Sequence, residues 1–195
     1  IEILIKNIKD SDILCFNYIV EYEDKSNELV IPKYFSNTSK LKNYIMTQPS
    51  ACTKIYKTSI FKENNAYFEE NIHYEDLALI PSLAIYGPKV EFISDAFYHY
   101  NIRNNSIMNK TTFSNKIDDK FIAINNLKEK LAKKYFEEFE YIVLKHLCIM
   151  YVIEFIDYEK EVCIPRLYKV SKFLKENKIS VNNKYFKTKS KKNKI

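Results

Sequence analysis

The chain has 195 residues, 46% of them hydrophobic, with 16 tyrosines and 13 phenylalanines; this suffices for one cored domain, or a small domain with an appendage, and excludes wholesale disorder. The net charge of +6 equals the lysines between Asn182 and Ile195, a stretch without acids, so the body is neutral; with Arg103 and Arg166 as the only arginines, a nucleic-acid surface is excluded. No stretch resembles a signal peptide, and the longest apolar run, Tyr141 to Phe155, is broken by Lys145, His146 and Glu154 and is too short to span a bilayer.

In chain order, Ile1, Leu4, Ile5 and Ile8 have helical spacing, and Asp12 to Tyr22 reads as a strand. The chain opens without a methionine and with no strand before that helix, so an α/β fold is expected to be entered partway. Glu23 to Lys40 is polar, a loop with a short strand around Leu29 to Ile31, and Ser39 to Met46 is amphipathic. Cys52 to Phe61 reads as strand or turn running into a helix. Pro81 starts or kinks a helix over Ser82 to Tyr86, which puts Glu75 and Asp76 in its first turn or just ahead of it. Gly87-Pro88 stops that helix. Gly87 is the single glycine, so no phosphate-cradling glycine loop exists in this chain.

Val90 to Ile93 and Phe97 to Arg103 read as two further strands. Period-two alternation puts Tyr98, Tyr100 and Ile102 on one face and His99, Asn101 and Arg103 on the other. After a polar loop containing Ile107 and Met108 the chain is helical. Three core stripes are expected: Ile117, Phe121, Ile124, Leu127 and Leu131; Phe136, Phe139, Val143, Leu147 and Met150; and Leu167, Val170 and Phe173. Cys15, Cys52, Cys148 and Cys163 form no C-x-x-C pair and have no histidine at zinc-ligand spacing, so they read as reduced, mostly buried thiols of a cytoplasmic protein.

Three separated segments, KIYKTSIFKENNAYF, YEDLALIPSL and KVEFISDAFYHYNIRNNSIM, occur in an order that resembles the C-terminal half of the catalytic domain of bacterial family 2 glycosyltransferases, which have the GT-A fold. The resemblance covers Ile1 to Lys110. It implies an α/β chain with a partial GT-A-like sheet and flanking helices over residues 1–111, to which the helical stripes add a small helical bundle over 112–181 and the charge pattern a lysine-rich tail over 182–195. The family's nucleotide-binding half and its aspartate-rich metal motif are not in this sequence. A divalent metal, Mn or Mg, is therefore expected in the complete enzyme and none on this chain, which is expected to be inactive alone.

What the resemblance implies for function is inverting transfer of a sugar from a nucleotide-sugar donor to a hydroxyl of a glycan acceptor, in cell-envelope polysaccharide biosynthesis. Such a transfer must remove the acceptor's proton as it attacks, and a fixed carboxylate contributes about 10²–10⁴-fold as general base. By resemblance that base is Asp76, with Glu75 orienting the site. Arg103 and Ser106, with His99 on the same strand face, match positions that approach the leaving diphosphate, and Lys54 is a further candidate for substrate binding. Each has a plainer reading. Asp76 suits a helix start, where a carboxylate gains about 0.3–1 kcal/mol; His99 suits a satisfied strand histidine, Ser106 a turn, and Lys54 a structural role. The alternative for the whole chain is a non-enzymatic interaction module whose helical region docks on a partner. The lysine tail reads as a solvated end or as a peripheral contact with the anionic inner membrane surface.

Overall fold

Alternation and helical spacing translate into seven helices and four strands across the described residues, 2–8, 10–24, 26–102 and 114–186, of the computed structural model. Arg103, Ser106, Ile107 and Met108, and the tail beyond Phe186, lie outside them. The chain opens with α1 (Glu2–Ile8) and enters β1 (Ile13–Glu21). Ile13 to Asn17 are all buried, so this strand starts with both faces covered and reads as an apolar run without alternation.

β1 is the spine of a mixed four-stranded sheet. Along one edge it pairs in parallel with β4 (Val90–Asn101) over its whole length, from Ile13↔Val90 to Glu21↔Asn101. Its other edge is shared by two short antiparallel strands: β3 (Lys54–Tyr56) beside Ile13 to Cys15, and β2 (Asn27–Val30) beside Tyr18 to Glu21.

The break expected between Val90–Ile93 and Phe97–Arg103 is a bulge inside the single strand β4. The register runs Cys15↔Phe92, Asn17↔Ala96 and Tyr18↔Tyr98, so β4 spends extra residues opposite Asn17. The Asn17 amide donates to the Ser94 carbonyl at 2.7 Å and satisfies a group the bulge frees from the ladder.

Between β2 and β3 lies α2 (Lys40–Met46), the amphipathic helix expected over Ser39 to Met46, with the Ser39 hydroxyl capping its start. After β3 come α3 (Ser59–Lys62), α4 (Glu75–Leu79) and a 3₁₀ helix, Pro81–Tyr86, which Pro81 opens and Gly87 ends at φ 69. α4 and this 3₁₀ helix form the layer between sheet and C-terminal helices. Leu77, Leu79, Ile80, Leu83 and Ala84 are buried there, and the Tyr44 hydroxyl of α2 donates to the Ile80 carbonyl at 2.5 Å.

The C-terminal region holds α5 (Asp119–Leu131), α6 (Phe136–Val143) continuing as a π-helix over Leu144–Tyr151, and α7 (Lys160–Glu176). The α5 stripe is buried from Phe121 to Leu131. Two stripe residues are corrected by the structure: Phe136 and Leu167 are exposed, Phe136 because it opens α6 and Leu167 because α7 turns only Cys163, Val170 and Phe173 inward. The stretch expected as a tail from Asn182 is docked as far as Phe186. Tyr185 packs on Phe35 and Tyr141, and its hydroxyl donates to the buried Glu138 at 2.6 Å.

Candidate active site

The Glu75–Asp76 pair owes its direction to the residue before it. Tyr74, the residue preceding α4, has φ 66 and ψ 31. A non-glycine side chain in this left-handed region costs about 1–3 kcal/mol, so surrounding contacts must hold it there. From this pivot the chain turns into α4, and Glu75 and Asp76 become its first two residues, both half-buried.

Asp76 reaches across to a second local start. Its Oδ2 accepts the Ala51 N–H at 3.0 Å, and Ala51 opens a 3₁₀ turn, Ala51–Thr53, that the Ser50 side chain leaves uncapped. The carboxylate thus caps a turn in another part of the chain, while Oδ1 accepts no hydrogen bond from a described residue. Burial raises the Asp76 pKa above the ordinary carboxylate value, and the neighbouring Glu75 charge raises it further; the Ala51 N–H and the Lys54 charge pull it down. A carboxylate made more basic by partial burial, with one oxygen fixed and the other unengaged among the described residues, is suited to accepting a proton.

Lys54 is 6% exposed, and its ammonium donates to the Gln48 carbonyl at 2.6 Å, the Ser50 carbonyl at 3.1 Å and the Thr53 hydroxyl at 3.1 Å. Its three donors are spent on the 48–53 loop, so Lys54 shapes the seat on which Asp76 rests. Burial lowers its pKa, and the thiol of Cys15 and the carboxylate of Asp76 oppose that shift.

The same loop carries Cys52, whose exposed sulfur lies 2.9 Å from the Ser50 hydroxyl and is close enough to Tyr98 to raise the phenol's pKa. Tyr98 pairs with Tyr18 across the parallel ladder. Asp76, Lys54, Cys52 and Tyr98 therefore form one neighbourhood around the 3₁₀ turn Ala51–Thr53. The Ala51 amide was not singled out from the sequence, and Cys52 and Tyr98 were named there without any link to Asp76, because only tertiary structure joins residues so far apart.

His99 is not part of this group. It follows Tyr98 in β4 and so points to the other face, where its Nδ1 meets Glu21 Oε1 at 2.6 Å, half-exposed. Arg103 and Ser106 lie outside the described residues. His146 is buried in the π-helix, far from the ordinary histidine range: burial, with Lys145 and Lys120 nearby, pushes its pKa down to about 3, so it is neutral. Among the described residues no group of three or more His, Cys, Asp or Glu side chains fits a metal ion. No described helix is long and apolar enough to cross a membrane.

No protein-family profile and no curated protein matches the chain. Among solved structures, S. aureus TarS 1-349 in complex with UDP-GlcNAc is similar to it, with a TM-score of 0.62 at 15% identity, over 95% of this chain and 55% of that one. The chain thus spans about half the length of that protein. The likeness is one of fold: a mixed α/β, GT-A-like arrangement of a four-stranded sheet with flanking helices.

Proposed function

We propose that this chain is the acceptor-side part of a nucleotide-sugar-dependent glycosyltransferase in which Asp76 is the general base. The observation that carries the proposal is the half-buried Asp76 carboxylate, fixed through Oδ2 on Ala51 and raised in basicity. The fold shared with a protein that binds UDP-GlcNAc supports a nucleotide-sugar as donor, and a glycan hydroxyl is the proposed acceptor. In this reading the acceptor O–H donates to Asp76, whose carboxylate takes the proton as the oxygen attacks the anomeric carbon and the diphosphate departs from the opposite side. Glu75 keeps the local field negative and Asp76 basic. Arg103, Ser106 and His99 are proposed contacts of the donor, and a divalent metal is proposed for the complete enzyme.

The test is Asp76→Asn in the full-length gene product. Asparagine keeps the shape and the oxygen that accepts from Ala51 but cannot take a proton. Donor binding, measured by calorimetry with UDP-sugars, is expected to persist while turnover falls by about 10²–10⁴-fold. Full turnover in this variant would return Asp76 to a capping role alone.

A second reading, a non-enzymatic interaction module, draws on apolar side chains exposed in the helical region: Ile153 at 65%, Ile164 at 61% and Tyr168 at 70%. A full-length protein that binds no nucleotide-sugar would favour it.

A further inference from the structure

The residues just before the acid pair are held from the helical region. The His73 N–H donates to the Asp119 carboxylate at 3.0 Å. The Tyr74 ring lies under the Lys120 ammonium, 4.6 Å from its centroid, and the Tyr74 hydroxyl donates to Glu154 Oε2 at 2.9 Å. Glu154 Oε1 pairs with Lys120, which is 1% exposed. Both Glu154 oxygens are therefore engaged, one on a buried cation and one on the phenol. Asp119 and Lys120 are the first residues of α5, and Glu154 follows the π-helix, so two different elements close on the same pivot.

These contacts meet at the one place where the backbone direction of α4 is decided. A tyrosine carries no local preference for φ 66, unlike glycine or asparagine. Released, Tyr74 would relax toward negative φ and carry the first turn of α4 with it. The phenol is the longest available lever against that relaxation, since a grip on its hydroxyl and ring fixes the Cα–Cβ direction and with it the chain direction. Asp119 holds the preceding amide, so the backbone is gripped on the other side of the pivot too. Asp118, beside them, is occupied elsewhere: it accepts from the Tyr151 hydroxyl at 2.5 Å and pairs with Arg166 and Lys169 of α7.

We infer that Asp119, Lys120 and Glu154 are positioning residues for Asp76: by clamping His73 and Tyr74 in place they hold the left-handed pivot and seat the Asp76 carboxylate on the Ala51 amide. The helical region is then a frame for the acid pair and not a separable appendage. The catalytic consequence rests on the function proposed above; the clamp itself does not.

Amide hydrogen exchange on the 195-residue chain reads the seat directly, because the Ala51 N–H is protected by Asp76. Tyr74→Phe removes the phenol hydroxyl and Asp119→Asn removes the charge that accepts from His73, and both are mild enough to preserve the fold. In each, Ala51 exchange is expected to speed up by about tenfold, the loss of roughly one hydrogen bond's worth of protection. Leu127 and Leu131 in the α5 core are expected to keep their rates, which distinguishes release of the seat from general loosening. Unchanged Ala51 exchange in both variants overturns the clamp, as does equal acceleration at Leu127 and Ala51.

In the full-length gene product Tyr74→Phe is expected to lower kcat by about tenfold with the donor KM unchanged, since the base is displaced and donor contacts are not. An unchanged kcat alongside faster Ala51 exchange overturns the positioning role. Full turnover in Asp76→Asn sinks the base assignment instead, and the exchange arm still decides whether the clamp exists.

Discussion

The Asp76 carboxylate and the Ala51 amide, 25 residues apart in the chain, join the first turn of α4 to the first turn of the 3₁₀ segment beside β3 at 3.0 Å. The bond sets the stability and the proposed chemistry of Asp76 against each other. Partial burial raises the folded-state pKa above 3.8, so the folded protein holds a proton on Asp76 more tightly than the unfolded chain does. Stability from this group is therefore greatest at low pH and falls as pH rises through the interval between 3.8 and the raised value. Asp76→Asn removes this dependence and keeps an acceptor for Ala51, so at pH 7 its urea midpoint is expected to equal or exceed that of the parent. A midpoint lowered by more than about 1 kcal/mol equivalent would show that the charge itself holds the turn.

Lys54→Met is expected to behave oppositely. It preserves the apolar stem but strips the Gln48 and Ser50 carbonyls of their donor inside a buried loop. The cost is expected at about 1–3 kcal/mol, tempered by the removal of a charge whose burial is itself unfavourable. Chemical denaturation checks this. Losing the Lys54 charge also lets the Asp76 pKa rise further, visible in a carboxylate titration by carbon NMR.

His146 is neutral when folded and protonates in the unfolded chain near 6.5, whereas burial depresses its folded pKa to about 3. The unfolded state binds more protons across that window, so stability rises with pH through it and is lost on acidification below about 6.5. At pH 5 the loss from this residue is about 2 kcal/mol relative to pH 8, from a group 5% exposed. His146→Leu is expected to flatten the dependence of the urea midpoint between pH 5 and 7. An unaltered slope would place the acid sensitivity elsewhere.

Cysteine reactivity offers a check on the neighbourhood of Asp76. Cys52 is exposed, Cys15 and Cys163 are buried, and burial pushes the Cys15 thiol up to about 12. Iodoacetamide at neutral pH is expected to modify Cys52 first, with Cys15 and Cys163 protected until the protein unfolds. Peptide mass spectrometry reads the order, and rapid labelling of Cys15 would contradict the packing of β1 against β3.

Much of the frame was readable from local signals. The helix over Ser39 to Met46 is α2, the α5 stripe from Phe121 to Leu131 follows the helical period, and Pro81 and Gly87 bracket the 3₁₀ segment, because each is set by the nearest few residues. The Asp76–Ala51 seat was not readable, since nothing local to residue 76 specifies residue 51. Tyr74 was missed for a related reason: a left-handed turn is signalled by glycine or asparagine, and here tertiary contacts force it on a tyrosine. The β4 bulge looked like a break between strands because Ser94 and Asp95 are polar and exposed, and only the Asn17 side chain shows that the ladder continues through them. His99 sits where the alternation put it, on the polar face, and there it pairs with Glu21 instead of joining Asp76.

The π-helical stretch Leu144–Tyr151 makes the C-terminal region intolerant of small changes in length. An α-helix turns by about 100° per residue, so one residue deleted upstream of Tyr151 would swing Glu154 to a different side of its helix, away from both Lys120 and Tyr74. The buried lysine would lose its counter-charge, and the phenol its acceptor, in a single step. Insertions and deletions in homologous chains are therefore expected to gather in connections that carry no such phase, such as the bends between Glu154 and Lys160, and to avoid the helix that delivers Glu154.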